Sequence, residues 1–358
     1  MNSTLKIKNS ILTLWDTKEV SSKTKGNILG KMYTLELTEK ITGDTIRSIP
    51  ANVITSIVYK YPACSIIQKC INGFREEREE KMNDYLRESF SYFGLYRRLL
   101  ATKKYTSPES VRFGPDKEQY FLYYEPDKAI SNKIIFWVHG GGWNAGNPKF
   151  FDYVGQHISK AGYRIISAGY RLSPKNKYPV QMEDVCSCYN RAIDFLKEKG
   201  IDTSQIIVVG PSAGAHLTSI MCYSEKTQKE YGVDISSIIG FVGFGGPYSF
   251  RKDQSKTIKL LLNQLFEKGY HREDAEPVSL MSQNHIPMLL IQSRHDGLIQ
   301  YECAEDFALR ARELGNKCEL YSVEDKKNTH SWYTAGLFLE TRAENKGLDK
   351  FFTWIEEQ

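Results

Sequence analysis

The chain has 358 residues, of which 41% are hydrophobic and 25% charged, and its 48 basic and 43 acidic side chains leave a net charge of +5. A chain of this length and composition can bury a substantial core without a metal or disulfide staple. The lysines and arginines are scattered, and no basic stripe or recognition motif supports binding to nucleic acid. We therefore predict a globular protein with no nucleic-acid partner, no metal and no cofactor.

The cysteines and the apolar stretches bear on where the protein works. Seven cysteines occur at irregular spacings, which fits reduced thiols in a reducing compartment better than a disulfide framework. Residues 1–25 lack the apolar run and the cleavage site of a secretory leader. The apolar stretch 52–71 is interrupted by Lys60, Pro62 and Lys69, so we interpret it as a core or cap helix and not as a membrane span. We expect a cytoplasmic protein without a transmembrane segment.

The segment before residue 108 is polar and has a helical pattern. A first helix is predicted to start at 48–50, and Pro62 breaks or kinks the stretch that follows. From 76 to 100, apolar residues recur at three- and four-residue intervals, as in an amphipathic helix. We therefore predict that residues 1–107 form a helical N-terminal extension. It packs on the main domain as a subdomain or covers an active site as a cap or lid, and the two interpretations are compatible.

From residue 108 to 358, short β-rich runs alternate with helical patterns, which is typical of parallel strands joined by crossover helices. Strands are predicted at 111–113, 120–124, 133–138, 164–168, 205–209, 238–244, 288–292 and 317–323. Helices are predicted at 150–161, 180–199, 212–223, 301–314 and from about 344 to the end. Residues 248–286 break the alternation and predict a helical insertion in this α/β domain, with apolar residues from Ile258 to Leu265 on one face.

The first chemical signal is the pentapeptide Gly210-Pro211-Ser212-Ala213-Gly214. It follows a predicted strand and opens a predicted helix, the context in which a G-x-S-x-G sequence carries a nucleophilic serine. A serine on such a turn has a strained backbone, needs small neighbours and lies at a helix N-terminus, whose partial positive charge favours a developing alkoxide. Ser212 is therefore the predicted nucleophile. Because small-residue serine turns also arise by chance, this assignment also depends on finding oxyanion donors, a base and an acid elsewhere in the sequence.

The second signal is His139-Gly140-Gly141-Gly142-Trp143, directly after a predicted strand. Consecutive glycines let the backbone approach a substrate and point N–H groups at it. In acyl transfer, such groups hold the oxyanion. The alternatives are a flexible turn or a phosphate-binding loop, but the segment lacks the Lys-Ser/Thr ending of a P-loop and the spacing of a dinucleotide fingerprint.

A serine nucleophile requires a base, and the base requires an acid that orients it. Asp296 follows the strand at 288–292, and His330 lies in the loop after the last strand. Both therefore fall at the same edge of the sheet as Ser212, in the chain order Ser, Asp, His that α/β-hydrolases use. We predict His330 as the base and Asp296 as the acid.

Other titratable residues compete for these roles. His295 adjoins Asp296 and should point elsewhere, and His216 should pack or hydrogen-bond locally on the helix after Ser212. Glu324 and Asp325 are alternatives to Asp296, but they fall too near His330 on the same connection. Asp184 begins a helical region and is expected to fix a loop.

These motifs together resemble the hormone-sensitive-lipase-like esterases and the related bacterial carboxylesterases (BD-FAE-like) and formamidase-type α/β-hydrolases. The resemblance covers about residues 108–358 and includes Tyr170-Arg171-Leu172-Ser173-Pro174 and Asp296-Gly297-Leu298-Ile299. It implies an α/β-hydrolase fold with a mostly parallel sheet flanked by helices. It also implies an oxyanion hole formed by the N–H groups of Gly141, Gly142 and Ala213.

The motifs and the resemblance lead to one functional expectation. We expect a carboxylic ester hydrolase that cleaves small or short-acyl esters through an acyl-enzyme, acting on a small-molecule substrate. The alternatives are an amide or formamide hydrolase, a deacetylase acting on a specific metabolite, and a non-catalytic ligand-binding protein of the same fold. The sequence is also compatible with a homo-oligomer.

Overall fold

The structure is a computed structural model that describes residues 106–251 and 254–358 continuously. It also describes scattered positions from 84 to 104 and the backbone of four short strands before residue 34. The chain divides into two compact units, residues 1–80 and residues 81–358. The predicted boundary near residue 108 therefore falls inside the second unit.

The first unit contains two short antiparallel strand pairs. They are formed by β1 (Ile7–Lys8) with β2 (Ile11–Leu12) and by β3 (Gly26–Ile28) with β4 (Lys31–Tyr33). At these ten positions the backbone is extended, whereas the sequence pattern predicts a helical extension over residues 1–107. Ile7, Ile11 and Ile28 are β-branched and favour the extended backbone of these strands.

The second unit is built on an eight-stranded sheet in the order β12-β11-β10-β9-β7-β8-β6-β5. Its strands are β5 (Glu109–Arg112), β6 (Tyr120–Tyr124), β7 (Ile134–Val138), β8 (Arg164–Ala168), β9 (Ile206–Pro211), β10 (Ile238–Phe244), β11 (Met288–Ser293) and β12 (Cys318–Val323). The six strands from β12 to β8 run parallel, whereas β6 is antiparallel to both of its neighbours. The predicted mostly parallel sheet is confirmed.

Helices connect the parallel strands and cover both faces of the sheet. They are α1 (Asp152–Lys160), α2 (Val180–Glu198), α3 (Ala213–Tyr223), α4 (Glu225–Tyr231), α5 (Lys256–Leu265), α6 (Pro277–Leu280), α7 (Tyr301–Glu313), α8 (His330–Thr334) and α9 (Lys346–Glu357). Polar caps fix several starts: the Ser255 hydroxyl accepts the Ile258 N–H before α5, and the Asn345 side chain accepts two N–H groups before α9.

The core lies on the two faces of the sheet, because alternate residues of a strand point to opposite sides. In β7, Phe136 and Val138 join the cluster that includes α2 and α3, while Ile135 and Trp137 join the cluster that includes α1 and α9. All five residues of β7 are buried, which explains its continuous apolar sequence. This arrangement exposes only the strand ends for chemistry.

The inserted segment is helical, as predicted, and contains α5, a 3₁₀ turn at Arg272–Ala275 and α6. The positions described between 84 and 99 are helical and belong to the second unit. Among the described residues, no helix combines the length and the hydropathy needed to cross a membrane. The described residues do not include the predicted helix start at 48–50, the apolar stretch 52–71, Cys64 or Cys70.

Candidate active site

Ser212 stands on a sharp turn between β9 and α3. Its backbone has φ 51° and ψ −120°, a region that non-glycine residues rarely adopt. A Cβ at Gly210 would overlap the start of α3, and one at Gly214 would overlap the Val138 carbonyl oxygen. The Ser212 N–H donates to the Phe244 carbonyl oxygen at 2.7 Å, which ties the turn to β10. The motif thus requires its glycines for close packing.

His330 bridges Ser212 and Asp296. Its Nε2 lies 2.9 Å from the Ser212 Oγ, and its Nδ1 lies 2.7 Å from the Asp296 Oδ2. With the proton on Nδ1, the imidazole donates to the carboxylate and leaves Nε2 free to accept from the serine hydroxyl. The three predicted residues therefore form one continuous chain of hydrogen bonds at the carboxyl edge of the sheet.

Asp296 is held by more than the histidine. Its Oδ1 accepts the backbone N–H groups of Leu298 and Ile299 at 2.8 and 2.7 Å, and its Oδ2 also accepts the Tyr333 hydroxyl at 2.5 Å. The Gln292 side-chain amide donates to the same Oδ2 at 3.3 Å, so four donors besides the imidazole hold this carboxylate, whose side chain is almost completely buried.

The electrostatics of His330 favour its charged form. Burial alone would lower the pKa of His330, but the charge and hydrogen bond of Asp296, together with the charge of Glu88, raise that pKa above its ordinary value. The imidazole can therefore accept a proton within a site that otherwise disfavours charge.

The glycine loop runs beside Ser212. A Cβ on Gly140 would lie 3.3 Å from the Ser212 Cβ, while Gly141 and Gly142 have φ values of 110° and 58°. Gly141, Gly142 and Ser212 line the same cavity, and Ala213 begins α3 directly after the serine. The loop is anchored by the buried ring of His139, which stacks on Tyr170 with 4.3 Å between ring centroids.

The cavity above Ser212 has a volume of about 490 Å³. Apart from Ser212 and His330, its walls are largely apolar. They include Leu95, Leu99, Trp143, Phe151, Ile258 and Leu261. Leu261 and Ile258 come from the predicted helical insertion, and Leu95 and Leu99 come from the predicted N-terminal extension. A cavity of this size and polarity suits a small uncharged ligand.

The competing residues occupy other places. His295 contacts Asp84 at 3.3 Å, and Glu324 and Asp325 are exposed. His216 accepts the Trp143 indole N–H and lies 2.8 Å from the Ala275 carbonyl oxygen, so it links the glycine loop to the inserted segment.

Asp184 fixes a loop, as expected. Its carboxylate accepts the backbone N–H of Arg171 and pairs with the Arg171 guanidinium. Among the described residues, no group of three or more His, Cys, Asp or Glu side chains is placed to hold a metal ion.

Sequence reasoning missed two residues beside these groups. Tyr333 follows His330 by three positions, and this spacing on a helix signals that the two side chains share a face. Glu88 is distant in sequence, yet its Oε1 accepts the Ser331 N–H at 3.0 Å. Only the amphipathic pattern of residues 76–100 hinted that this segment packs against the domain.

Comparisons with known proteins identify a family model that matches this chain and two curated proteins that are similar to it. A family model described as BD-FAE matches residues 122–310, just over half of the chain. The chain is 26% identical over 221 residues to the probable carboxylic ester hydrolase LipM of Mycobacterium tuberculosis, covering 56% of this chain and 50% of that protein. It is 29% identical over 227 residues to a kynurenine formamidase of Meyerozyma guilliermondii, covering 58% and 83% respectively.

Among solved structures, a hormone-sensitive lipase from a metagenome library matches with a TM-score of 0.59 at 21% identity, covering 78% of this chain and 98% of that chain. This likeness confirms the predicted α/β-hydrolase fold. The chain spans from about a third to just over half of the length of several curated esterases that it matches.

Proposed function

The chain belongs to the BD-FAE family, and from that premise we propose that it is a serine hydrolase that cleaves carboxylic esters through Ser212, His330 and Asp296. The observation that carries the proposal is the chain of hydrogen bonds from the Ser212 Oγ through His330 to Asp296 at the floor of an apolar cavity. Named relatives such as the carboxylic ester hydrolase of M. tuberculosis support the same reaction class.

In the first step, the Ser212 oxygen attacks the ester carbonyl carbon while its proton passes to the His330 Nε2. Asp296 holds the imidazole in the correct tautomer and stabilises the imidazolium. The carbonyl oxygen becomes an oxyanion, for which the N–H groups of Gly141, Gly142 and Ala213 are the proposed donors. Collapse of this intermediate expels the alcohol, which takes the proton from His330.

In the second step, water repeats the sequence on the acyl-enzyme. His330 accepts a proton from water, the resulting nucleophile attacks the acyl carbon, and the acid leaves as Ser212 regains its proton. Because the walls of the cavity are mostly apolar, we propose that the acyl group is uncharged and small enough to fit about 490 Å³.

Substitution of Ser212 by alanine tests the proposal. We expect Ser212→Ala to reduce kcat/KM for short p-nitrophenyl esters by more than about 10⁴-fold, because the attacking oxygen is gone. Its thermal unfolding should match that of the wild type. A fluorophosphonate probe should label the wild type and leave Ser212→Ala unlabelled.

Ser204→Ala provides the control, since Ser204 is an exposed serine that precedes β9, at the opposite end of that strand from Ser212. It should keep full turnover and labelling. Ester hydrolysis by Ser212→Ala at the wild-type rate would contradict the assignment, and a wild type that resists the probe would favour a non-catalytic ligand-binding protein.

A second candidate is an amide or formamide hydrolase, favoured by the similarity to a kynurenine formamidase. The same three residues would serve that reaction. Parallel assays with an ester and an N-formyl amide of the same aryl group distinguish the two: faster turnover of the formyl amide would identify this second function.

A further inference from the structure

The helical positions described between 84 and 99, here called the 84–99 segment, contact the loop that carries the proposed acid and the start of α8 with the proposed base. Residues 329–331 at that start are called the His330 loop below. Asp84 lies 3.3 Å from the Nδ1 of His295, the residue before Asp296. Glu88 accepts the N–H of Ser331, the residue after His330. Spacings of three and four residues place Asp84, Glu88, Ser91 and Leu95 on a single helix face.

Ser91, which lies between Glu88 and Leu95 in the segment, adds further contacts. Its Oγ lies 3.0 Å from the Ser331 Oγ and accepts the Thr329 hydroxyl at 2.8 Å. Both residues that flank His330 are therefore bonded to the same segment. Through these bonds the segment fixes the backbone on either side of the imidazole.

Glu88 has an unusual environment for a carboxylate. It is 2% exposed, and its Oε2 is buried without a hydrogen-bond partner among the described residues. Arg87 pairs with Asp84, and Arg98 pairs with Glu340, so neither of these cations neutralises Glu88. A buried carboxylate in this state is costly unless a positive charge develops beside it.

We propose that Glu88 is a positioning residue that holds the His330 loop through the Ser331 N–H and supplies a second negative charge beside the imidazole. The inference rests on the proposed function, in which His330 acts as the base and becomes an imidazolium in each catalytic cycle. Glu88 and His330 interact electrostatically, so the negative charge of Glu88 stabilises the imidazolium that forms during each proton transfer.

The titratable groups around His330 come from three elements. Asp296 lies in the loop after β11, Tyr333 on α8, and Glu88 on the 84–99 segment. Burial raises the pKa of Glu88, and the nearby charge of His330 opposes that rise. Since an ionised Glu88 favours the imidazolium, removing its charge should lower the pKa of His330.

Glu88→Gln is the decisive variant, because glutamine retains an oxygen for the Ser331 N–H but has no charge. We expect the His330 pKa to fall by about half a unit to one unit. The acid limb of the kcat/KM profile should move to lower pH by the same amount. A shift of one unit corresponds to about a tenfold loss of kcat if the charge acts equally on the imidazolium in the transition state.

The His330 pKa is measured by NMR titration of the full chain with labelled histidine, using His330→Asn to identify the resonance. This readout does not require ester turnover, so failure of the proposed function and failure of this inference are separate results. Leu86→Ala is the matched control, since Leu86 is on the same segment but 48% exposed. It should leave the His330 pKa and the pH profile unchanged.

Glu88→Asp is measured in parallel because it keeps the charge at a greater distance. A graded fall of the His330 pKa from wild type through Glu88→Asp to Glu88→Gln supports the proposal. An unchanged pKa in folded Glu88→Gln overturns it and leaves Glu88 a purely structural residue. If Glu88→Gln is too unstable to titrate, Glu88→Asp decides alone: a lowered pKa supports the proposal and an unchanged one overturns it.

Discussion

Three buried histidines show how local contacts set the charge of a side chain. Burial lowers the pKa of His139 and of His216 to about 4, and neither ring has a carboxylate partner among the described residues. His330 is buried as well, but the charges of Asp296 and Glu88 raise its pKa instead. The first two histidines are therefore neutral supports of the glycine loop, and the third can carry a proton.

The neutral histidines make stability depend on pH. Their folded-state pKa lies below the unfolded value of about 6.5, so the unfolded chain binds more protons as the pH falls through that window. Their contribution is fully present above about pH 6.5 and is lost towards about pH 4. We expect each to lower the unfolding free energy by roughly 1–2 kcal/mol between about pH 7.5 and about pH 5.

His216→Gln isolates one of these contributions, since glutamine can still donate to the Ala275 carbonyl oxygen but does not titrate. Urea unfolding at both pH values should show a smaller pH-dependent loss in the variant than in the wild type, by roughly 1–2 kcal/mol. Equal losses in both proteins would mean that His216 is not the titrating group. Because His330 has a raised pKa, its contribution has the opposite sign and is common to both proteins.

At the scale of elements, the glycine loop after β7 combines tight packing with proximity to Ser212. Gly141 adopts φ 110°, and a Cβ there would overlap the Ala145 carbonyl oxygen. The Ala145 N–H donates back to the Gly141 carbonyl oxygen at 3.0 Å, so the loop is closed on itself. A side chain at Gly141 must therefore open the loop that carries the proposed oxyanion donors.

Gly141→Ala should reduce kcat by about 10²-fold or more, since displacing one oxyanion donor has this effect in other hydrolases. Gly200→Ala is the control: Gly200 also has a positive φ, 72°, but a Cβ there meets no atom within 4 Å. It should cost about 1 kcal/mol of stability and leave kcat unchanged. Full activity of Gly141→Ala in the ester assay would remove the loop from the proposed mechanism.

The elements of the α/β domain were predictable because each has a local pattern. The predicted strands 120–124, 164–168 and 238–244 match β6, β8 and β10, since turn residues or helical patterns bound each apolar run. The proximity of Ser212, Asp296 and His330 followed from the G-x-S-x-G motif together with the order of the strands. The contacts of the site with distant segments could not be predicted in this way. Glu88 contacts Ser331, which is 243 residues away in the sequence, and no periodicity encodes such a contact.

At the scale of the whole molecule, the division of the chain after residue 80 assigns the 84–99 segment to the second unit, which contains the eight-stranded sheet. This segment supplies Leu95 and Leu99 to the cavity and Glu88 and Ser91 to the His330 loop. The sheet, the glycine loop and the cavity all lie within residues 81–358. The unit that contains the site thus starts well before the predicted boundary at residue 108.

Two truncations separate these boundaries. Removal of residues 1–80 should keep kcat/KM for short esters within about threefold, because the remaining unit retains its own core. Removal of residues 1–107 should lower kcat/KM by more than about tenfold and broaden acyl-length preference, because it deletes one cavity wall and the contacts around His330. A series of p-nitrophenyl esters from acetate to palmitate measures both effects. Unchanged preference in a folded protein lacking residues 1–107 would contradict this role.

Ser91 and Ser331 are in contact although they are 240 residues apart in the sequence, so the ribosome makes them at different times. Ribosomes add about 5–20 residues per second, so Ser91 emerges on the order of ten seconds or more before its partner. Until the final third of the chain arrives, the cavity that Leu95 and Leu99 line lacks Ile258, Leu261 and His330. The proposed nucleophile Ser212 therefore gains its proposed base His330 only when translation is nearly complete, so partly made chains lack the assembled site.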